Sequence, residues 1–247
     1  MKALAIIKPE PFAPVDPANT MARLTTPDPK EAATVNGTAS IVFDFGYLIQ
    51  LDTFFIGYHN GKAGQTWKIE PIDGPAGNPY IVFAQGSFDQ FQGFGQFHTV
   101  VVGMTPYIAR YWRLTIATGS TGSITMGVFA AGAAFVPMWG QELGAGRNIT
   151  DTGTAERLFG GGFAIDEGAR VGGYQWTFGD LQALEIRRLY QIVKDVGVTK
   201  TVLVVEDPEQ TEGLNERVHW GLFGKLDFYE RRDPANWKWG FQISDWG

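Results

Sequence analysis

Three histidines and two adjacent carboxylate pairs are the residues of this chain with the plainest chemistry. His59, His98 and His219 stand far apart, and none falls in an HxH, HExxH or HxxxH spacing. A zinc site needs several such ligands brought onto one face. The spacing therefore predicts no metal centre, and each histidine reads as a strand or turn residue satisfied by backbone. The acidic pairs Asp166–Glu167 and Glu206–Asp207 would suit glycoside hydrolysis, which uses two carboxylates at a set separation. Neighbours on a strand point to opposite faces, so neither pair makes an acid–base couple by itself. No GxSxG, P-loop or dinucleotide fingerprint occurs, and "FGGGFA" at 159–164 lacks the following helix that would make it a phosphate cradle. There is no cysteine, which excludes thiol nucleophiles, thiolate metal sites and disulfides. The expectation is a protein with no catalytic residue, no metal and no cofactor.

What remains is the chemistry of contact. In "SFDQFQGFGQFHT", Phe88, Phe91, Phe94 and Phe97 recur every three residues among Gln and Gly. That spacing suits neither a strand nor a full amphipathic helix. The rings either plug the end of a β-sandwich or form an exposed patch for another subunit or a receptor. In the glycine-rich loop "GYHNGKAGQ", Tyr58, His59 and Asn60 could line a sugar site at a sandwich end.

The elements that must hold these residues are mostly strands. The chain has 247 residues, 32 Gly, 13 Pro and 14% aromatics, a mixture that favours short strands and tight turns over helix bundles. Between Pro9 and Pro29 lie six prolines. Proline fixes φ and lacks a donor, so residues 1–38 read as an extended arm rather than part of a sheet. Phe12, Val15, Met21 and Leu24 are spaced to anchor that arm on a neighbouring subunit. From 39 to 137 strand-like runs recur every ten to fifteen residues, as in a sandwich. Residues 138–153 read as a linker, and 154–247 as a second β-rich domain. Its one helix spans about 180–196, with Asp180 as N-cap, Gly197 as stop, and a stripe of Leu181, Leu184, Leu189, Ile192, Val193 and Val196.

The octet "ARYWRLTI" at 109–116 fits a half-buried strand. Arg110, Trp112, Leu114 and Ile116 share one face by alternation, with the last three in a core and Arg110 at the edge, where it can meet a carboxylate. The other face is amphipathic and open to water or a partner.

"SIVFDFG", "TWKI" and "ARYWRL" together resemble the discoidin family, the coagulation factor 5/8 C-terminal domains. Asp44 and Gly46 match its early motif; Ala109, Arg110, Tyr111, Arg113 and Leu114 match its late one. The resemblance implies a jelly-roll β-sandwich over about 39–136 and a capacity for surface-ligand binding. The strand pattern "GLFGKL" followed by "WKWGFQI" is similar to the C-terminal part of distal tail and baseplate proteins of tailed bacteriophages.

The net charge of -6 disfavours a nucleic-acid partner, and no window approaches the roughly 18 apolar residues of a membrane span. The N-terminal apolar run, Ala3 to Ile7, is shorter than a signal-peptide core, so synthesis in a host cytoplasm is expected. These readings combine into a mainly β virion tail protein. It works by contacts with other tail proteins and copies of itself, with a host surface glycan as a candidate ligand. A free carbohydrate-binding module is the alternative, and a glycan-degrading enzyme a more distant one. A free module has little use for the arm.

Overall fold

The computed structural model describes residues 3–88, 97–120, 122–210 and 212–246. It is mainly β. The chain divides into two compact units: Ile7–Ala134 with Glu212–Glu216, and Met1–Ile6 with Phe135–Thr211 and Arg217–Gly247. The first unit is thus inserted in the second after the opening strand, β1 (Leu4–Ile7).

The inserted unit is a β-sandwich. After β2 (Ala13–Pro14) come a 3-10 helix (Thr20–Thr25), β3 (Ala33–Asn36), β4 (Thr38–Leu51), β5 (Thr53–His59), β6 (Thr66–Ile72), β7 (Ala84–Ser87), β8 (Phe97–Val101), β9 (Tyr107–Ala117), β10 (Ser123–Met126) and β11 (Val128–Gly132). A five-stranded sheet runs β2-β4-β9-β6-β7, a three-stranded sheet β11-β5-β8, and β3 pairs β10. Aromatic rings fill the space between them. Phe43 of β4 stacks on Phe129 of β11 at 4.7 Å, and Trp112 of β9 meets Phe54 of β5 at 5.0 Å.

The octet behaves as a half-buried strand, with one local correction. Trp112, Leu114 and Ile116 are fully buried, but Ala109 is buried too and Arg110 is exposed. The alternation breaks because Asp44 pairs with Tyr111 while Ile49 pairs with Ala109, so residues 45–48 bulge opposite Arg110. Gly46, at φ +79, supplies the left-handed turn of that bulge. Arg110 then grips Asp44 through two bonds of 2.7 and 2.8 Å. The two halves of the discoidin-like motif are one ion pair across a bulge.

Of the stretch 1–38 expected as an arm, the described residues 3–38 do not stand off. Met21 and Leu24, on the 3-10 helix, are fully buried in the sandwich core, and Phe12 packs against Phe43, Phe45 and Phe129. Val15 alone of the four expected anchors is exposed. Asn19 caps the 3-10 helix by accepting from the Met21 N–H, so a turn takes up the backbone groups that the prolines deny to a sheet.

The second unit continues with β12 (Ala134–Phe135), β13 (Gly146–Asp151), β14 (Thr154–Arg157), β15 (Phe163–Asp166), β16 (Arg170–Leu181), α1 (Ala183–Val196), β17 (Val202–Glu206), β18 (Val218–Leu226), β19 (Glu230–Arg231) and β20 (Trp237–Asp245). Its sheet runs β12-β1-β17-β18-β20-β16-β13, with β19 beside β20. The stretch expected as a linker therefore contains β13, an edge strand of the sheet. Ile186, Leu189, Ile192, Val193 and Val196 of α1 pack on Tyr174, Trp176, Phe241 and Ile243 of the sheet.

The helix starts later than its sequence suggests. Glu185 accepts from the Gln182 N–H, while Asp180 remains in β16 and pairs with Arg232 at 3.2 Å. Leu181 is consequently a strand residue and Leu184 points to solvent. Gly197 ends the helix at φ +60, as expected. Among the described residues no helix is long and apolar enough to cross a membrane.

Candidate functional site

The loop after β5 brings most of the expected interaction residues together. Tyr58 lies at φ +56, in the left-handed region, where the pairing of β5 with β8 slips between Ile56 and His59. Its N–H donates to His98 Nδ1 at 3.2 Å, and the two rings meet edge to face at 4.8 Å. His59 is buried. Its Nδ1 accepts from the Gly61 N–H at 3.2 Å, which leaves the proton on Nε2, 2.9 Å from Thr99 Oγ1. Desolvation pushes its pKa down to about 4, so the ring is neutral at pH 7. Asn60 is exposed and accepts from the Thr125 N–H at 2.7 Å. Of the phenylalanine series, Phe88 is fully buried against His59, with centroids 4.7 Å apart, and Phe97 is half-buried; Phe91 and Phe94 lie outside the described residues. Phe88 is thus a plug rather than part of a patch, and Tyr58 and Asn60 are the members of the trio that reach the surface.

A second feature of this unit was not foreseen. On the outer face of the five-stranded sheet a shallow pocket of about 520 Å³ is lined by Thr66, Lys68, Gln85, Thr115 and Ala117. Lys68 and Arg113 both bind the buried carboxylate of Glu70, at 2.9 and 3.2 Å. Trp67 and Gly86 complete the lining, so the pocket offers a mostly apolar floor with hydroxyl and amide groups beside a partly neutralised cation, chemistry that suits an uncharged ligand with both apolar and polar faces. Alternation along β6 and β9 gave the polar face; only the pairing of β6 with both β7 and β9 assembled it.

In the second unit the structure joins residues that sequence spacing kept apart. Glu206 of β17, His219 of β18, Asp245 of β20 and Arg147 of β13 form one charge cluster. His219 Nδ1 lies 3.1 Å from both oxygens of Asp245, and Nε2 lies 3.0 Å from Glu206 Oε1. Arg147 donates to the same Glu206 oxygen from Nε and Nη2, at 3.0 and 2.9 Å. Tyr174 stacks on the imidazole at 5.0 Å and 11°, and its hydroxyl donates to Gln141 at 2.6 Å. Burial alone would lower the His219 pKa, but the bonds to Asp245 and Glu206 overcome it and raise the value above the usual imidazole range. Burial alone would raise Glu206; His219 and Arg147 hold it below the ordinary carboxylate value. Desolvation and the nearby Glu206 keep Tyr174 a neutral phenol.

His219 is therefore held by carboxylates, not by backbone as its sequence context suggests, because the curled sheet carries three distant strands to one place. Glu206 finds its partners across the sheet and not in Asp207. Asp166 and Glu167 lie beside Asp151 in an open cleft of the β14–β15 region. Among the described residues no three His, Asp or Glu side chains converge so as to hold a metal ion.

The most exposed element is a β-ribbon. β13 pairs with the start of β16, and β14 with β15 beyond it. Every residue of β13, β14 and β15 is exposed. Ala155, Arg157, Phe163 and Ile165 share one face by alternation, and Leu158 and Phe159 sit in the turn. The "FGGGFA" glycines form that turn rather than a phosphate cradle.

No protein-family model matches the chain, and no curated protein matches it. Solved structures align with about half of it. They include the family 32 carbohydrate-binding module of Clostridium perfringens NanJ in complex with galactose, 11% identical over 52% of this chain and 98% of that one, with a TM-score of 0.40. Chitosan-binding module 1 of a chitosanase/glucanase from Paenibacillus sp. IK-5 is 10% identical over 49% of this chain and 92% of that one, with a TM-score of 0.38. The family 32 module of AlyQ, in complex with 4,5-unsaturated mannuronic acid, is 18% identical over 53% and 97%, with a TM-score of 0.37.

Proposed function

We propose that this protein is a non-catalytic structural subunit that joins a protein assembly through its ribbon, in the tail tip or baseplate of a tailed bacteriophage. The exposed apolar face of the ribbon carries this reading. A two-stranded ribbon is marginally stable alone, and phenylalanines left in water are usually covered by a partner. The strand pattern similar to distal tail proteins supports the viral setting, and copies of this chain or other tail proteins are the partners it implies. Sedimentation of the full chain tests it. The native protein should associate with rising concentration, or with co-expressed tail proteins. The variant Phe159→Ser/Phe163→Ser/Ile165→Ser should stay monomeric with unchanged melting. A native chain that remains monomeric and joins no tail protein would refute the reading.

A second reading, a carbohydrate-binding module, is favoured by the pocket on the sandwich sheet, whose apolar floor at Trp67 with Thr66, Lys68, Gln85 and Thr115 around it suits a neutral sugar ring, apolar on its C–H face and hydroxylated at its edge. The full chain applied to a glycan array should show selective binding that Lys68→Ala/Gln85→Ala removes. Binding unchanged in that variant would exclude the pocket as its site.

A further inference from the structure

We infer that the Arg147–Glu206–His219–Asp245 cluster is a pH-sensitive clamp on the base of the ribbon, closed while the imidazole is protonated and opened by its deprotonation. The inference deepens the docking reading and depends on it for its biological meaning.

The geometry asks for an imidazolium. A carboxylate faces each ring nitrogen, and only the protonated ring has two N–H donors. A neutral ring keeps one donor and turns a lone pair toward the other carboxylate. The protonated cluster balances two cations with two anions. Loss of the proton leaves Glu206, 12% exposed, with Arg147 as its remaining cation, and leaves Asp245, 25% exposed, facing the lone pair or neutral N–H of an imidazole only 4% exposed, so the charge-assisted bond that joins the two acids is lost.

Both carboxylates also touch the ribbon base. The Glu206 oxygen that meets His219 is the one that holds Arg147. Asp245 lies against Gly172, which pairs with Ile149 across the ribbon; a Cβ at Gly172 would come within 2.8 Å of Asp245 Oδ2. A shift of either acid is therefore passed to β13 or β16. The other groups facing the ring or its partners are Tyr174, a neutral phenol, and Arg217, which donates to the Glu206 carbonyl.

The sign follows from His219. Its pKa is raised in the folded protein, so the clamp's stabilisation is fully present below the ordinary imidazole value of 6.5. It is lost as pH rises through the raised value.

The chain has no cysteine, so Leu158→Cys gives one attachment point for a dye in the ribbon turn. Dye anisotropy would be followed on full-length protein, dilute enough to be monomeric, from about pH 5 to about pH 10 while NMR follows the His219 ring. Anisotropy should hold level past pH 6.5 and then drop together with the His219 titration. In His219→Gln the step should vanish. In Arg147→Gln, anisotropy should be low at every pH while the ring still titrates, which a merely structural histidine would not produce. A level anisotropy through the His219 titration, or a step that survives in His219→Gln, overturns the clamp. Should His219→Gln not fold, the native and Arg147→Gln titrations decide. Sedimentation of the unlabelled chain separates the two ideas. A mobility step without any association refutes docking and leaves the clamp; association without a mobility step refutes the clamp alone.

Discussion

Trp112 carries its indole into the sandwich against Phe54, Phe83 and Tyr107, at 5.0, 5.2 and 6.2 Å between centroids. Deleting so large a buried ring leaves a cavity that strands on two sheets cannot easily close. Trp112→Ala should cost about 3–5 kcal/mol, measured by denaturant unfolding. His59 makes a separate, pH-dependent contribution. Its folded pKa is depressed to about 4 from 6.5, so the unfolded chain binds a proton that the folded chain refuses. The His59 contribution is complete above about pH 6.5 and falls as pH drops toward 4, by about 3 kcal/mol in all. Comparison of native protein with His59→Gln across that range should show the slope flattening in the variant.

At the scale of the element, the proline-rich segment changes role. Met21 and Leu24 are spaced three apart on a 3-10 helix, where side chains i and i+3 eclipse, so both enter the same core. Leu24→Ala should therefore destabilise the isolated protein by about 2–5 kcal/mol. A free arm would leave calorimetric melting unmoved. The same reasoning applies to α1, whose Leu189 is fully buried on the sheet while Leu184 is not. Leu189→Ala should lower the melting temperature, and Leu184→Ala should change stability by no more than about 0.5 kcal/mol.

For the molecule as a whole, the consequence of the nested order is unequal independence. Residues 7–134 hold nearly all of the sandwich and its core, so that segment alone should melt cooperatively in calorimetry. Residues 135–247 lack β1, whose Leu4 and Ile6 lie in the second core between β12 and β17. That segment alone should fail to give a cooperative transition, and adding residues 1–6 through a short linker should restore one. A cooperative melt of 135–247 by itself would show that β1 is dispensable.

Alternation and helical period are local properties, and they were enough to read the mainly β character, the burial of Trp112, Leu114 and Ile116, a carboxylate partner for Arg110, and α1 to within a few residues; the bulge that selects Asp44 and turns Arg110 outward was not among them. Composition by itself, with no cysteine, excludes thiol chemistry. Three things depended on long-range strand order, which no local pattern encodes. The first is the return of β1 to the second unit, across the whole sandwich in sequence. The second is the packing of Met21 and Leu24, which needed a core to receive them. The third is the meeting of Arg147, Glu206, His219 and Asp245. Their separations along the chain carry no periodicity, because β13, β17, β18 and β20 become neighbours around His219 only when the sheet pairs and curls. Burial of the His219 ring and most of Glu206, with Arg147 and Asp245 at the rim, then gives those four side chains the electrostatic coupling that none has in the extended chain.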